Sequence, residues 1–194
     1  IATMAMAELL LLTGDKIALG QSVELAAELC LRAQNDGYGW RYGIKPGDND
    51  TSVTGWMILA LKACKAADMR KPAPERYEKA FKDALEWFRR ATSITTGITG
   101  YKAPGDEGSR LNGIYPADPY PFSKELSCMT AVAVLCRLFA GEKRTDEMIK
   151  KGVNILLREL PAWQEQAGNR LSKINVYYWY YGTYALFQFG GVPW

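Results

Sequence analysis

Apolar residues recur along this chain at the three- and four-residue spacing of helices, and no segment alternates convincingly in the manner of a strand. The pattern predicts about seven helices, with loops rich in Gly, Pro and aromatic residues between several of them. We expect the first five at about residues 3–13, 22–33, 51–67, 74–91 and 123–140. The sixth follows Thr145-Asp146-Glu147 and extends to about Arg158, and the seventh covers about residues 176–189. Ser22 is the predicted N-cap of the second helix.

The predicted helices alternate in character along the chain. The first, third, fifth and seventh are apolar nearly all round, whereas the second, fourth and sixth carry charges on one face. A helix without a polar side needs cover on several sides, and an amphipathic helix can form an outer wall. The sequence therefore predicts inner and outer helices in alternation.

Weak internal repetition accompanies this alternation. Thr3 precedes Gly14 by the interval that separates Thr130 from Gly141, across similar apolar runs. The loop sequence 45–48 (Lys-Pro-Gly-Asp) recurs loosely at 102–106 (Lys-Ala-Pro-Gly-Asp). Repeated helical hairpins stack on their neighbours, so we predict an all-α fold, an α/α toroid or partial toroid of inner and outer helices. We expect a single repeat domain over residues 1–194, excised from a longer protein because the chain opens in mid-helix.

Composition narrows the chemistry of the chain. With 48% hydrophobic residues it can bury a sizeable core, and its net charge of +3 is spread over separate basic pairs, so we expect no nucleic-acid partner. There is no histidine, which removes the commonest general base, and no CxxC pair is present, so we expect no metal site and no cofactor. The four cysteines lie within apolar helical patterns and are predicted to be small buried residues. The longest apolar run, near residues 5–12, is too short to span a membrane.

Two segments carry a resemblance to a known family. Residues 34–40 (Gln-Asn-Asp-Gly-Tyr-Gly-Trp) are similar to the Gln…Gly…Trp repeat motif of the prenyltransferase and squalene-cyclase repeat superfamily, with the Gly displaced. Residues 47–51 (Gly-Asp-Asn-Asp-Thr) resemble the acid motif of its cyclases, and the aromatic run 177–188 resembles segments of bacterial repeat proteins of this group. The resemblance extends over nearly the whole chain and implies an α/α toroid.

The resemblance also raises the question of whether the chain has the acid motif that cyclase activity requires. Cyclases of this superfamily place an Asp-x-Asp-Asp-Thr motif in an apolar cavity, where the protonated middle Asp donates a proton to an alkene. If Asp50 and Thr51 align with the end of that motif, Asn49 stands at the donor position and Gly47 at the first Asp. An amide cannot protonate an alkene, so the sequence disfavours cyclisation that begins with protonation. The zinc centre of protein prenyltransferases requires His, which this chain lacks.

The residues themselves offer a structural explanation of the acidic run. Asp, Asn and Thr are residues of turns and helix N-caps, so we expect one of residues 48–51 to cap the third helix. Tyrosines of the seventh helix recur at helical spacing along one side, where core packing is favoured over ligand binding. The candidate catalytic carboxylates are Asp48, Asp50 and Asp106, and the candidate binding residues are Trp40, Tyr42, Tyr101, Tyr177, Tyr180, Tyr181 and Tyr184.

Three functions remain open at this point. The first, which the missing donor favours, is a non-catalytic binding or scaffold module for a protein, a polymer or an isoprenoid or other lipid. The second is an isoprenoid cyclase relative. The third is a carbohydrate-active hydrolase or lyase, which requires paired carboxylates about 5–10 Å apart.

Overall fold

The computed structural model describes residues 1–106, 128–158, 160–161 and 175–194. Within these ranges the protein is all-α, as predicted, and the one β feature is an isolated antiparallel bridge between Thr92 and Thr99. The chain forms two compact units, residues 1–89 and residues 90–194. The helices of the described residues are α1 (Ala2–Thr13), α2 (Lys16–Ala33), α3 (Thr51–Ala66), α4 (Pro74–Ala91), α5 (Cys128–Phe139), α6 (Glu147–Arg158) and α7 (Val176–Phe189).

The predicted bounds of α1, α3, α4, α6 and α7 agree with the structure to within a residue. The predicted start of the fifth helix, at residue 123, lies outside the described residues, and its end is one residue earlier than expected.

The predicted start of α2 is wrong. The helix begins at Lys16, because Asp15 rather than Ser22 is its N-cap and accepts the backbone N–H of Ala18 at 2.9 Å. Gly20 then lies inside the helix, where glycine is ordinarily unfavourable. A Cβ at position 20 would lie 2.9 Å from Met69 Cε, so the glycine provides room for this neighbour.

In the first unit, α1, α2 and α3 are in mutual contact. Val23 and Ala27 of α2 and Ile58 and Leu61 of α3 are almost fully buried in the core. The fourth helix joins this group through polar contacts to α2 and α3 and through one apolar face. That face comprises Tyr77, Ala80, Phe81, Ala84, Leu85 and Phe88.

In the second unit, α5 contacts both α6 and α7, and every residue from 128 to 137 is buried. Gly152 allows α6 to approach closely, since a Cβ at that position would lie 2.4 Å from Val134 Cγ2. The Thr130 hydroxyl accepts the backbone N–H of Thr99 at 3.0 Å and so ties the preceding loop to α5.

The prediction that apolar helices are covered on several sides holds for α5 but is wrong for α1. In α1 only Ala7 and Leu10 are buried, whereas Leu9 is 47% exposed and Leu12 is 85% exposed. Helices α2 and α3 contact α1, but Ala5, Leu9, Leu11 and Leu12 are exposed and Met4 is only partly buried.

All four cysteines are free and buried, as predicted. Burial raises the pKa of the Cys64 thiol to about 12 and also raises the pKa of the Cys30 and Cys136 thiols. These thiols are therefore neutral near pH 7 and behave as small apolar side chains.

Candidate functional site

The loop between α2 and α3, residues 34–50, contains the motif that the sequence singled out, and Trp40 anchors it. The Trp40 side chain is fully buried and its indole N–H donates to the carbonyl of Cys30 at 2.7 Å. Its backbone N–H donates to Thr54 Oγ1 at 3.0 Å, and its carbonyl accepts the N–H of Asp50 at 3.0 Å. Trp40 was a predicted binding residue, and in the structure it fixes the loop to α2 and α3.

A glycine makes this attachment possible. A Cβ at Gly39 would lie 2.3 Å from Thr54 Oγ1, closer than real contacts allow, so any larger residue would push the loop away from α3.

The Asn35 side chain holds the two ends of the loop together. Its amide Nδ2 donates to the carbonyl of Asp48 at 2.7 Å and to Asn49 Oδ1 at 2.9 Å, and its Oδ1 accepts the N–H of Gly47 at 2.9 Å. Asn35 and Asn49 are 6% and 9% exposed. Asn49 is therefore a buried hydrogen-bond acceptor of the loop.

Asp50 is the N-cap of α3, which confirms the expectation that the acidic run caps this helix. Its side chain is fully buried, and Oδ1 accepts the backbone N–H of Val53 at 2.7 Å. Arg41 Nη1 lies 3.5 Å from the other oxygen of Asp50, and Arg41 Nε lies 3.0 Å from Asp48 Oδ2. One guanidinium thus contacts both candidate carboxylates of the loop.

Both oxygens of Asp50 therefore have a neighbour within the loop and α3: Oδ1 accepts the N–H of Val53, and Oδ2 lies beside the Arg41 guanidinium. These are the contacts of a structural carboxylate that caps a helix.

The outer part of the loop, residues 42–48, is exposed, and we call it the loop tip. Tyr42 is 71% exposed and Ile44 is 56% exposed, and the Arg41 guanidinium lies 5.7 Å from the centre of the Tyr42 ring. The backbone N–H of Lys45 donates to the carbonyl of Ala33 at 3.1 Å, which holds the tip against the end of α2.

Asp106 belongs to the second unit and closes a turn. Its Oδ2 accepts the backbone N–H groups of Lys102 and Ala103 at 3.0 and 2.9 Å, and its side chain lies at the surface. Tyr101, a predicted binding residue in the same turn, is half-buried. Like Asp50, Asp106 accepts hydrogen bonds from the backbone.

The tyrosines of α7 pack against one another as the sequence spacing suggests. Ring centres are 5.0 Å apart for Tyr177 and Tyr181, 5.1 Å for Tyr180 and Tyr181, and 6.2 Å for Tyr180 and Tyr184. Tyr184 also makes an edge contact with Phe139 of α5, with ring centres 5.4 Å apart. The cluster therefore contributes to the packing of α7 on α5.

Exposure differs within this cluster. Tyr181 is fully buried, and this burial strongly raises the pKa of its hydroxyl, whereas Tyr180 is 41% exposed. Tyr178, which the stripe pattern left out, is also buried and its hydroxyl donates to the carbonyl of Leu156 at 3.5 Å. It lies on α7 beside Tyr177 and Tyr181, and its contact with α6 is not visible in the helical spacing of the tyrosines.

Sequence reasoning missed two residues of the loop site, Asn35 and Arg41. Asn35 lies inside the resemblance motif next to Gln34, which was a usable signal, because buried amides in loops commonly bind backbone groups. Arg41 is adjacent to Trp40, but no spacing rule relates it to Asp48 and Asp50.

The described residues hold no group of three or more His, Cys, Asp and Glu side chains that could bind a metal ion. None of the described helices is both long and apolar enough to cross a membrane. Comparison of the chain with protein-family models, curated proteins and solved structures finds no match.

Proposed function

We propose that this chain is a non-catalytic binding or scaffold module, built as a toroid or arc of helical hairpins of the prenyltransferase and squalene-cyclase repeat type. The observation that carries the proposal is that the residues of the acid motif hold the loop in place and cap α3. Asp50 caps α3 and lies beside Arg41, and Asn49 accepts a hydrogen bond from Asn35. The residues that would initiate cyclisation are thus engaged in holding a loop in place.

The exposed side chains of the loop tip support a binding role. Tyr42 is the most exposed aromatic residue of the loop, and Arg41 stacks near it. Tyr and Arg are enriched among the residues that dominate the energy of protein interfaces. Because Trp40 and Asn35 already fix the loop, a partner bound at the tip would lose little free energy to ordering it. We therefore propose a protein partner that contacts Tyr42 and Ile44.

A photo-crosslinking amino acid at position 42 tests the binding surface. We expect it to give one discrete cross-linked product in extracts of the source cells, and Ile44→Ala to reduce the yield of that product. The matched control carries the same amino acid at position 94, since Ile94 is 79% exposed but lies in the second unit. Equal cross-linking from the two positions would show that the loop tip is not a specific surface.

A separate assay tests the absence of catalysis. The protein is incubated with squalene and with shorter isoprenoid alkenes, and the products are analysed by gas chromatography and mass spectrometry. We expect no cyclised product from the protein or from Asp50→Asn. A product that the protein forms and Asp50→Asn does not form would contradict the proposal, provided that circular dichroism shows the variant to be folded.

A further inference from the structure

A polar cleft lies in the first unit, between the end of α2, the start of the loop and α4. Its volume is about 170 Å³, enough for several water molecules. Its lining includes Lys45 of the loop tip but neither Tyr42 nor Ile44, the two residues that we propose contact a protein partner. The polar side chains that line the cleft and matter for its chemistry are Gln34, Asp36, Lys45, Arg76, Lys79 and Asp83.

Gln34 gives the cleft a fixed acceptor. The side chain is 7% exposed, and its Nε2 donates to the carbonyls of Tyr38 at 2.7 Å and Ala80 at 2.9 Å. Because both partners are carbonyl oxygens, the amide nitrogen must face them, and the orientation of the side chain is determined. Among the described residues Gln34 Oε1 has no hydrogen-bond donor, so this oxygen is the polar atom left for a ligand in the cleft.

Three cations, Lys45, Arg76 and Lys79, line the same cleft as Gln34. Lys45 Nζ lies 2.6 Å from Asp36, and Lys79 Nζ lies 2.5 Å from Asp83. Arg76 is held more firmly, because two of its nitrogens contact Glu28 at 2.5 and 2.9 Å. The mutual hydrogen bond lowers the pKa of Glu28 and raises that of Arg76, so both groups are charged near pH 7.

The ion pairs of Lys45 with Asp36 and of Lys79 with Asp83 can open when a ligand binds. The side chains of Lys45 and Lys79 are 48% and 71% exposed, and Asp36 is 88% exposed. Ion pairs at the surface contribute little to stability, so an anion in the cleft can replace a carboxylate as the partner of either ammonium group. Lysine provides three donors on a flexible stem and can therefore turn toward the ligand.

The remaining acceptors select among anions. Gln34 Oε1 requires a hydrogen-bond donor on the ligand, and so does the carboxylate of Asp83, whose side chain is 16% exposed, once Lys79 has turned away from it toward the anion. An oxyanion without a proton leaves Oε1 unsatisfied and repels Asp83. An oxyanion that carries an O–H group can donate to these acceptors while its other oxygens accept from Lys45 and Lys79.

We propose that this cleft binds a phosphate group that retains an O–H. Inorganic phosphate carries such a proton at neutral pH, a phosphate monoester carries it only in mildly acidic solution, and sulfate does not carry it at either pH. The chemistry is shared by free phosphate and by a protonated phosphate ester, and the pH dependence of binding separates the two.

The probes are sodium phosphate, methyl phosphate and sodium sulfate, at constant ionic strength and at pH 6 and pH 8. Binding is followed by amide chemical shifts in ¹H–¹⁵N NMR spectra. We expect inorganic phosphate to shift the amides of residues 34–36 and 76–83 at both pH values, methyl phosphate to do so at pH 6 only, and sulfate to bind at least about tenfold more weakly, the loss expected for one charge-assisted hydrogen bond. Equal binding of phosphate and sulfate would mean an adventitious ion only and would overturn the proposal.

Variants connect this binding to the cleft. Lys79→Met should weaken phosphate binding about tenfold, because it removes one charge-assisted hydrogen bond. Lys82→Met is the matched control, since it removes the same charge from an exposed position of α4 that does not line the cleft. If both substitutions weaken binding equally, the phosphate is held by general surface charge and the proposal fails.

Discussion

Helices α1 and α5 are similar in sequence and differ sharply in burial. Each has twelve residues, each is apolar, and each is followed within two residues by a glycine with positive φ, Gly14 at 68° and Gly141 at 91°. Yet ten residues of α5 are buried, whereas in α1 only Ala7 and Leu10 are buried. The apolar character of a helix therefore does not determine how much of it is covered.

The difference lies in the neighbours. Helix α6 packs against α5 so closely that position 152 must be glycine, and the Thr99 backbone binds the Thr130 side chain from another direction. Helix α1 contacts α2 and α3 on one side, and Leu9, Leu11 and Leu12 remain substantially exposed. Burial of apolar surface stabilises the folded state by about 25 cal/mol per Å². Helix α1, which buries fewer residues, therefore contributes much less than α5 to folding stability.

The largest predicted effect comes from placing a charge in both helices. Ala131→Glu puts a carboxylate at a fully buried position of α5 and should destabilise the protein by more than about 4 kcal/mol, because no partner offsets the loss of hydration. Ala5→Glu puts the same group on the exposed side of α1 and should change stability by less than about 0.5 kcal/mol. Urea unfolding followed by circular dichroism measures both.

If Ala131→Glu does not fold at all, Ala131→Ser supplies a milder test of the same position. It buries one hydroxyl and should cost about 1–3 kcal/mol. A neutral result for both substitutions at Ala131 would contradict the tight cover that the structure gives to α5.

A matched pair of leucines gives the next largest effect. Leu135→Ala in α5 removes a fully buried side chain and should cost about 2–5 kcal/mol, because it leaves a cavity as well as losing burial. Leu12→Ala in α1 removes a side chain that is 85% exposed and should stay within about 0.5 kcal/mol. If both variants unfold with the same dependence on urea concentration, the difference between their urea midpoints gives the difference in unfolding free energy. Similar costs at the two positions would show that α1 is covered in solution.

The positions of the helices were predictable because hydrophobic periodicity reports local geometry. The start of α2 was not, since Asp15 and Ser22 are both favourable N-cap residues and the residue types do not decide between them. Periodicity also treats α1 and α5 alike, because it records which residues are apolar and not which other helices are close. Burial is a tertiary property, and the sequence of one helix does not contain it.

The candidate site shows the same limit. The residue types at 48–51 predicted a cap on α3, because such residues bind backbone N–H groups locally. Which carboxylate forms the cap, and that Arg41 contacts both Asp48 and Asp50, depends on the path of the whole loop. That path includes Lys45 at a φ of 46°, which no pattern of residue types predicts for a lysine.

The smallest predicted effect concerns local opening of the two helices, and buried cysteines report it. Cys30 Sγ lies 3.9 Å from Thr3 Oγ1 of α1, whereas Cys136 is fully buried within α5. Burial raises the pKa of both thiols above the ordinary value of 9.0, so in the native state both hold their proton at pH 8 and react only after an opening event. The free-energy gain from the neutral buried thiols is present below pH 9 and is lost as the pH rises toward their raised values.

Because only two residues of α1 are buried, against ten of α5, its opening should need less free energy than opening of α5. We expect iodoacetamide at pH 8 to modify Cys30 at least about tenfold faster than Cys136, which corresponds to about 1.4 kcal/mol. Peptide mass spectrometry of samples taken over time gives both rates from one experiment. Leu10→Ala, which removes one of the two buried residues of α1, should accelerate modification of Cys30 more than that of Cys136. Equal rates for the two cysteines, with equal responses to Leu10→Ala, would mean that both are exposed only by global unfolding, and α1 would then be as firmly held as α5.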